Sequence, residues 1–349
     1  MIKIDRGSEE VIKDITSLSK AIKRPVKLME VCGTHTQAIA KYSIRSILPE
    51  NITLISGPGC PVCVTPQRII DEAVKLAIEG IPIATYGDML RVPGTEMSLE
   101  KARQEGADIF IVESTTDALS LKEKHSNLVF LAIGFETTAP MTAYAVKKGL
   151  DIICAHKTIP EAMQAIFTEK DNYIDGFINP GHVSAIIGTK AYLNIDAPQV
   201  IAGFEPEDIL TATLMLLRQI KNKTRKVENG YTRIVKPEGN IKAGKLAESV
   251  FEQCDTDWRG MGIIPKSGLR LKDRYRKQDA RETYSDILKN LPEPKENKAC
   301  RCADVMTGKI NPKQCPLFAK GCTIENPVGP CMVGSEGPCM IAYRYRDKT

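Results

Sequence analysis

The sequence of 349 residues lacks three features, and each absence excludes a class of protein. No apolar run approaches the roughly 18 residues that a membrane-spanning helix needs, so we expect no membrane partner. The N-terminal stretch MIKIDRGSEE lacks the charged and then apolar layout of a signal peptide, so we expect a cytoplasmic protein. The net charge of +5 is small beside 43 acidic residues, whereas nucleic-acid-binding proteins carry a clear basic excess. We therefore expect no DNA or RNA partner.

The composition is that of an ordinary globular protein with buried cores. Apolar residues make up 42% of the chain and charged residues 26%, both close to globular averages. The chain is too long for one typical domain, and its length predicts two or three.

Short apolar runs alternate with stretches of helical spacing over the first 240 residues, after an N-terminal helix predicted from Ser8 to about Lys23. Such runs are typical of parallel strands joined by crossover helices. The runs are VKLMEV, ITLISG, IPIATY and DIFIVES, followed by FLAIGF, DIICAH, DGFINP and QVIAGF. They predict an α/β fold with two similar doubly wound parallel-sheet domains of four strands each, residues 1–125 and 126–240. Residues 241–349 are the predicted third domain, which is small and irregular.

A pair of cysteines follows the second predicted strand, in the stretch GPGCPVC at 57–63. In the reducing cytosol, clustered cysteines more often bind metal or carry out redox chemistry than form structural disulfides. Cys60 and Cys63 begin a predicted helix, whose N-terminus favours a thiolate and lowers its pKa. This geometry predicts a redox dithiol. A buried apolar pair and half of a zinc site are the alternatives, although no second CxxC follows at zinc-finger spacing.

Other chemically distinctive residues also follow predicted strands, where ligands collect in open parallel sheets. The stretch CGTH places the thiol of Cys32 and the imidazole of His35 on one turn, which suits iron, copper or zinc. Glu136 is a candidate general base or supporting carboxylate, Thr137 or Thr138 is a candidate helix cap, and His182 is a candidate ligand. A packing role is the alternative for each. If the carboxyl edges of the two sheets face each other, all of these residues line one cleft.

Six of the eleven cysteines fall within the last 50 residues, after a Pro- and Lys-rich stretch, LPEPKENKA, that indicates a linker. Four thiolates are the usual ligands of a [4Fe-4S] cluster, and the flanking prolines and glycines allow a short irregular chain to wrap one. The candidate ligands are Cys302, Cys315, Cys322 and Cys339, which leaves Cys300 and Cys331 open. A zinc site with four cysteine ligands is the alternative.

Six stretches of the sequence look like motifs of one family: CGTHT at 32, GPGCPVCVTP at 57, GFETTAP at 134, PGHVSAIIG at 180, WRGMGIIPKSGL at 258, and the tail from CPLF at 315 through NPVGPCMV to SEGPC. Over nearly its whole length the chain resembles the hydrogenase maturation factor family HypD. The resemblance implies two related α/β domains and a third domain with a [4Fe-4S] cluster. It also implies a scaffold, formed with the small chaperone HypC, on which iron acquires two cyanides and one carbon monoxide. HypE, loaded by HypF, would deliver the cyanide.

The same resemblance implies roles for individual residues. Cys32 is the expected thiolate for the iron of the Fe(CN)2CO unit, with His35 beside it, and Cys60 and Cys63 are the expected redox dithiol. The expected cluster ligands are Cys302, Cys315, Cys322 and Cys339. The sequence has Thr36-Gln37 where the family's first motif often ends in a second histidine, so that role is not assigned.

These expectations describe a redox-active assembly scaffold rather than a conventional turnover enzyme. The cluster would pass electrons singly to a Cys60–Cys63 disulfide, which would serve chemistry on the iron near Cys32. A thiol-disulfide reductase acting on protein disulfides is the rival hypothesis, and it leaves CGTH without a function. A third hypothesis is a structural interaction scaffold with zinc at the C-terminal cysteines.

Overall fold

The computed structural model describes residues 6–346. The first five residues of the expected first domain, on which part of the signal-peptide argument rests, lie outside this range, as do the last three of the expected C-terminal domain. Within the range, no helix is long and apolar enough to cross a membrane.

Eleven strands are found in the described residues. They are β1 (Val26–Glu30), β2 (Ile52–Ser56), β3 (Ile83–Tyr86), β4 (Ile109–Val112), β5 (Val129–Gly134), β6 (Asp151–His156), β7 (Gly176–Pro180), β8 (Gln199–Ala202), β9 (Val227–Asn229), β10 (Phe251–Trp258) and β11 (Gly262–Leu271). Each of the eight predicted runs overlaps one of the strands β1 to β8, so the strand predictions are confirmed.

Helices follow most strands. They are α1 (Arg6–Ile22), α2 (Gly33–Lys41), α3 (Ile44–Ile47), α4 (Pro61–Val64), α5 (Gln67–Ile78), α6 (Leu99–Gln104), α7 (Thr115–Lys122), α8 (Ala139–Lys147), α9 (Ile159–Thr168), α10 (Gly181–Ile187), α11 (Pro206–Asn222), α12 (Ile241–Val250), α13 (Ala280–Thr283), α14 (Ser285–Leu288), α15 (Cys302–Met306) and α16 (Pro338–Arg344). Short 3-10 helices lie at Gly87–Met89, Lys190–Tyr192, Asp273–Gln278, Pro312–Gln314 and Pro330–Met332.

Two parallel sheets form the α/β body, which confirms the predicted fold class. The first sheet has the strand order β2-β1-β7-β8-β9 and the second has the order β4-β3-β5-β6. All of their strand pairs are parallel. Strands β5 and β7 are buried along their whole length, as expected for strands covered on both faces.

The grouping of these strands differs from the prediction. In chain order, β1 and β2 of the first sheet come first, and the four strands of the second sheet follow. Strand β7 then pairs with β1 in the first sheet, with Leu28 opposite Gly176. The predicted first set of four strands therefore does not form one sheet, and that grouping is wrong. The expected boundary between residues 125 and 126 passes between β4 and β5, which belong to the same sheet. Short apolar strands carry no local signal of their partner, because parallel pairing joins segments far apart in sequence.

The C-terminal part begins with an antiparallel hairpin of β10 and β11. The hairpin lies against the second sheet, where Lys157 at the end of β6 forms a bridge with Gly268 of β11. Residues 300–346, which we call the cysteine segment, contain only short helices and turns. The largest cluster of buried apolar residues runs through both sheets into this segment, and it includes Cys60, Cys63, Cys302 and Cys331.

Candidate redox and metal-binding site

The turn after β1 presents Cys32 as the cap residue of α2. The backbone amide of Cys32 donates to Glu30 Oε2 at 3.3 Å, and the Thr36 hydroxyl donates to Glu30 Oε1 at 2.6 Å. Glu30 is fully buried, and this burial raises its pKa to about 7. The buried carboxyl group of Glu30 thus stabilises the turn by accepting hydrogen bonds from Cys32 and Thr36.

The thiol of Cys32 is 8% exposed. Burial, with a smaller contribution from the nearby carboxylate of Glu336, raises the pKa of Cys32 to about 12. The thiol therefore keeps its proton near neutral pH until a cation replaces that proton, as happens when a thiol binds a metal.

His35 lies one helical turn beyond Cys32 and is fully buried. Its Nε2 is 2.8 Å from the carbonyl oxygen of Gly203. A carbonyl can only accept, so Nε2 carries the proton and Nδ1 is an acceptor. Nδ1 is buried without a hydrogen-bond partner among residues 6–346. Burial lowers the pKa of His35 to about 4, so this imidazole is neutral and keeps a lone pair free.

His182 joins the same edge of the first sheet. The ring centroid of Phe204 is 4.0 Å from that of His182 and 4.8 Å from that of His35. His182 is exposed, and partial burial lowers its pKa. The two predicted histidines therefore share one aromatic neighbour.

Cys60 and Cys63 form a disulfide, with their Cα atoms 5.3 Å apart. Cys60 caps α4, and the amide of Cys63 donates to Cys60 Sγ at 3.2 Å. The amide of Gly33 donates to the Gly59 carbonyl at 3.2 Å, and a Cβ on Gly59 would collide with the backbone of Cys32. The expected proximity of the CGTH and CPVC turns is confirmed.

Glu136 follows β5 in the second sheet and is 9% exposed. Its Oε1 accepts from the amide of Ile159 at 2.9 Å, whereas Oε2 has no partner within the described part of the chain. Burial raises the pKa of Glu136 to about 8, so the group is largely protonated at neutral pH. Thr137 is exposed, and α8 takes Thr138 as its cap residue, so Thr138 is the one of the two candidate caps that begins the helix.

The six C-terminal cysteines line one pocket together with Leu317, Phe318 and Met332. Cys302 is bonded to Cys331, with their Cα atoms 6.2 Å apart. The cysteines of the pocket that remain free thiols, within residues 300–346, are Cys300, Cys315, Cys322 and Cys339. The expected ligand set differs from this group of free thiols at one position, because Cys302 is in a disulfide and Cys300 is free. Sequence spacing could not separate six cysteines into four free thiols and one pair.

These four thiols fit the donor set of a [4Fe-4S] cluster. Burial raises the pKa of Cys300, and the thiols of Cys315 and Cys322 raise it further. Four adjacent thiolates therefore need cations among them. Cys322 Sγ accepts the amide of Val328 at 3.3 Å, which is the kind of hydrogen bond that tunes cluster sulfurs. Within residues 6–346, no three His, Cys, Asp or Glu side chains are arranged to hold a single metal ion.

The loop of residues 334–337, which we call the SEG loop, connects these centres. A Cβ on Gly334 would lie 3.2 Å from Cys60 Sγ. Glu336 accepts from the Thr34 hydroxyl at 2.8 Å, beside Cys32. The amide and hydroxyl of Ser335 donate to Asp88 Oδ2 at 2.9 and 2.6 Å, at the end of β3. No role was predicted for Ser335 and Glu336, although both lie in the stretch SEGPC, which looks like a family motif.

Comparison with known proteins gives one consistent result. A family model with the short name HypD and the description "Hydrogenase formation hypA family" matches residues 7–346. The chain is 46% identical to a putative hydrogenase expression/formation protein of Methanocaldococcus jannaschii, over 97% of each chain. It is 43% identical to the hydrogenase maturation factor HypD of Azotobacter vinelandii, over 93% of this chain and 90% of that protein. Identity to the Escherichia coli HypD is 40%, over 97% and 94% of the two chains.

Proposed function

The chain belongs to the HypD family, as its motifs indicated, and on this premise we propose that it is a redox-active scaffold for assembly of the iron site of [NiFe] hydrogenases. In this proposal the iron is cargo, and it receives two cyanides and one carbon monoxide while bound. The expected partners are the small chaperone HypC and the cyanide donor HypE, which HypF loads. We place this work in the cytoplasm, because a reducing compartment suits a chain with eleven cysteines.

One observation carries the proposal: the free thiols of the cysteine segment, the Cys302–Cys331 disulfide and the Cys60–Cys63 disulfide are successive neighbours inside the protein. The free thiols and the Cys302–Cys331 disulfide line the same pocket. The 3-10 helix Pro330–Met332, which contains Cys331, packs against α4 and its Cys60–Cys63 disulfide. The CPVC turn in turn contacts the backbone of Cys32. This order supports electron delivery toward Cys32.

Thiol–disulfide exchange connects the two disulfides in balanced steps. Reduction of Cys302–Cys331 takes up two electrons and two protons and gives two thiols. One of them, as a thiolate, attacks the Cys60–Cys63 disulfide to give a mixed disulfide and release one sulfur. The second thiol of the reduced pair then resolves the mixed disulfide, so that Cys302–Cys331 is oxidised again and the Cys60–Cys63 pair is reduced. A [4Fe-4S] cluster, when bound, supplies the electrons one at a time.

The Cys32 turn is the proposed anchor of the iron cargo. Its thiol is protonated in the absence of metal, so iron binding releases a proton there. The free Nδ1 of His35 is one turn away on the same helix and can accept a ligand bond, because this imidazole is neutral. The rival reductase function is disfavoured, because Cys60 and Cys63 are 2% and 0% exposed and a protein disulfide cannot reach them directly.

Infrared spectroscopy of the anaerobically purified complex with the small chaperone tests the proposal. We expect cyanide and carbonyl stretching bands for the wild-type chain, and their loss in Cys32→Ser. Cys254→Ser is the matched control, because Cys254 is a free, half-buried cysteine on β10, outside the site. Equal band intensities in wild type and Cys32→Ser would show that Cys32 does not hold the iron unit. Complete absence of bands from the wild-type complex would favour the reductase hypothesis.

A further inference from the structure

The turn Trp258–Arg259–Gly260 between β10 and β11 lies between the two disulfides. The amide of Arg259 donates to the carbonyl oxygen of Val64, the last residue of α4. On the other side, a Cβ on Gly260 would collide with Cβ of Ala303 in α15, which begins at Cys302. The turn therefore touches both the CPVC helix and the helix of the second disulfide.

The guanidinium of Arg259 is a buried cation with an unused donor. The side chain is 8% exposed, and its Nε pairs with Glu296 Oε1 at 2.8 Å. Its Nη2 lies 3.4 Å from Gln67 Oε1, and Nη1 is buried with no partner in the described residues. A buried donor without a partner costs free energy, so its retention needs an explanation.

That explanation lies in the adjacent pocket. A cavity of about 50 Å³ is lined by Arg259 together with Glu296, Cys300, Cys302 and Gly329. Cys300 and Cys302 also line the pocket of six cysteines, so the two cavities share a wall. The buried cation of Arg259 thus lines the same cavity as the free thiol of Cys300, which also lines the pocket of six cysteines.

We propose that Arg259 is a positioning residue for the C-terminal cysteine site: its guanidinium stabilises the Cys300 thiolate and raises the reduction potential of the group that the four thiols hold. A positive charge beside a redox group favours the reduced form, because reduction adds negative charge there. The effect is strong at this position, since burial limits screening by water. Glu296 is half-exposed and offsets part of the charge.

This inference rests on the proposed function, because it requires an iron-sulfur group on the four thiols. The test is a redox titration, followed by electron paramagnetic resonance, of the reconstituted full-length chain, with iron and sulfide measured on each sample. We expect Arg259→Gln to lower the midpoint potential, Arg259→Lys to stay close to wild type, and Glu296→Gln to raise it. Arg91→Gln is the control and should leave the potential unchanged. The Arg91 guanidinium also binds the cysteine segment, through the carbonyls of Ile324 and Glu325, but does not line either pocket.

The outcomes separate the inference from the function on which it rests. Wild-type protein that binds zinc without iron and sulfide overturns the proposed function and the inference with it. Full iron and sulfide in Arg259→Gln with an unchanged potential overturns the inference alone. Loss of the group in Arg259→Gln but not in Arg259→Lys supports it, because lysine keeps the positive charge that glutamine lacks. Loss in both variants while Arg91→Gln retains the group shows that the arginine acts through packing, which also overturns it.

Discussion

At the scale of single residues, the buried carboxyl of Glu30 makes a prediction about pH. Its pKa is about 7 in the fold against an ordinary value of 4.5, because burial disfavours the charged form. The folded chain therefore binds this proton more tightly than the unfolded chain does. The stability that the proton contributes is fully present below about pH 4.5 and is lost as the pH rises through 7.

Glu30→Gln removes this dependence while keeping a polar group under the Cys32 turn. Between about pH 5 and about pH 8, we expect the free energy of unfolding of the wild type to fall by on the order of 2 kcal/mol relative to that of the variant. Urea denaturation at both pH values measures it. Exposed Glu79→Gln is the control, with Glu79 paired to Lys75 at the C-terminal end of α5. Parallel pH profiles of wild type and Glu30→Gln would contradict the prediction.

At the scale of elements, the contact between the CGTH and CPVC turns depends on a glycine. A side chain at position 59 would meet the backbone of Cys32, which cannot move aside as a flexible side chain can. We expect Gly59→Ala to lower the free energy of unfolding by about 1 to 3 kcal/mol, as other overpacking substitutions do. Gly244→Ala in α12 is the control, since nothing lies within 4 Å of its added Cβ and alanine favours a helix. A Gly59→Ala variant as stable as wild type would show that the turns separate freely.

The elements also show how far the sequence could predict this fold. Each strand from β1 to β8 was predictable, because an apolar run ending in a turn is a local signal. The return of β7 to the side of β1 was not, since no local pattern encodes it. The CPVC turn was predictable for the same local reason. The choice between Cys300 and Cys302 was not, because it depends on which sulfur faces Cys331 in the folded segment.

At the scale of the whole molecule, the cysteine segment joins both sheets and covers the site between them. Thr34, which follows β1 of the first sheet, and Asp88, which follows β3 of the second, both bind the SEG loop, through Glu336 and Ser335. Glu336 also raises the pKa of Cys32. The position of this one loop therefore controls both the access to Cys32 and the charge around it.

Asp88→Ala and Glu336→Ala together remove the acceptor of both Ser335 hydrogen bonds and the acceptor of the Thr34 hydroxyl. Breaking both contacts in this way should expose Cys32 and lower its pKa toward that of an ordinary thiol. In iron-free protein at fixed pH, we expect iodoacetamide to alkylate Cys32 several times faster than in wild type, because the thiolate is the reacting species. Mass spectrometry of the digested chain gives the rate for each cysteine. Cys154 is the internal control, since it is buried beside β11 and donates to the carbonyl of Leu269, away from the loop. If Cys32 and Cys154 react at their wild-type rates in the double variant, the SEG loop does not guard the site, and the protection of Cys32 must come from its own turn.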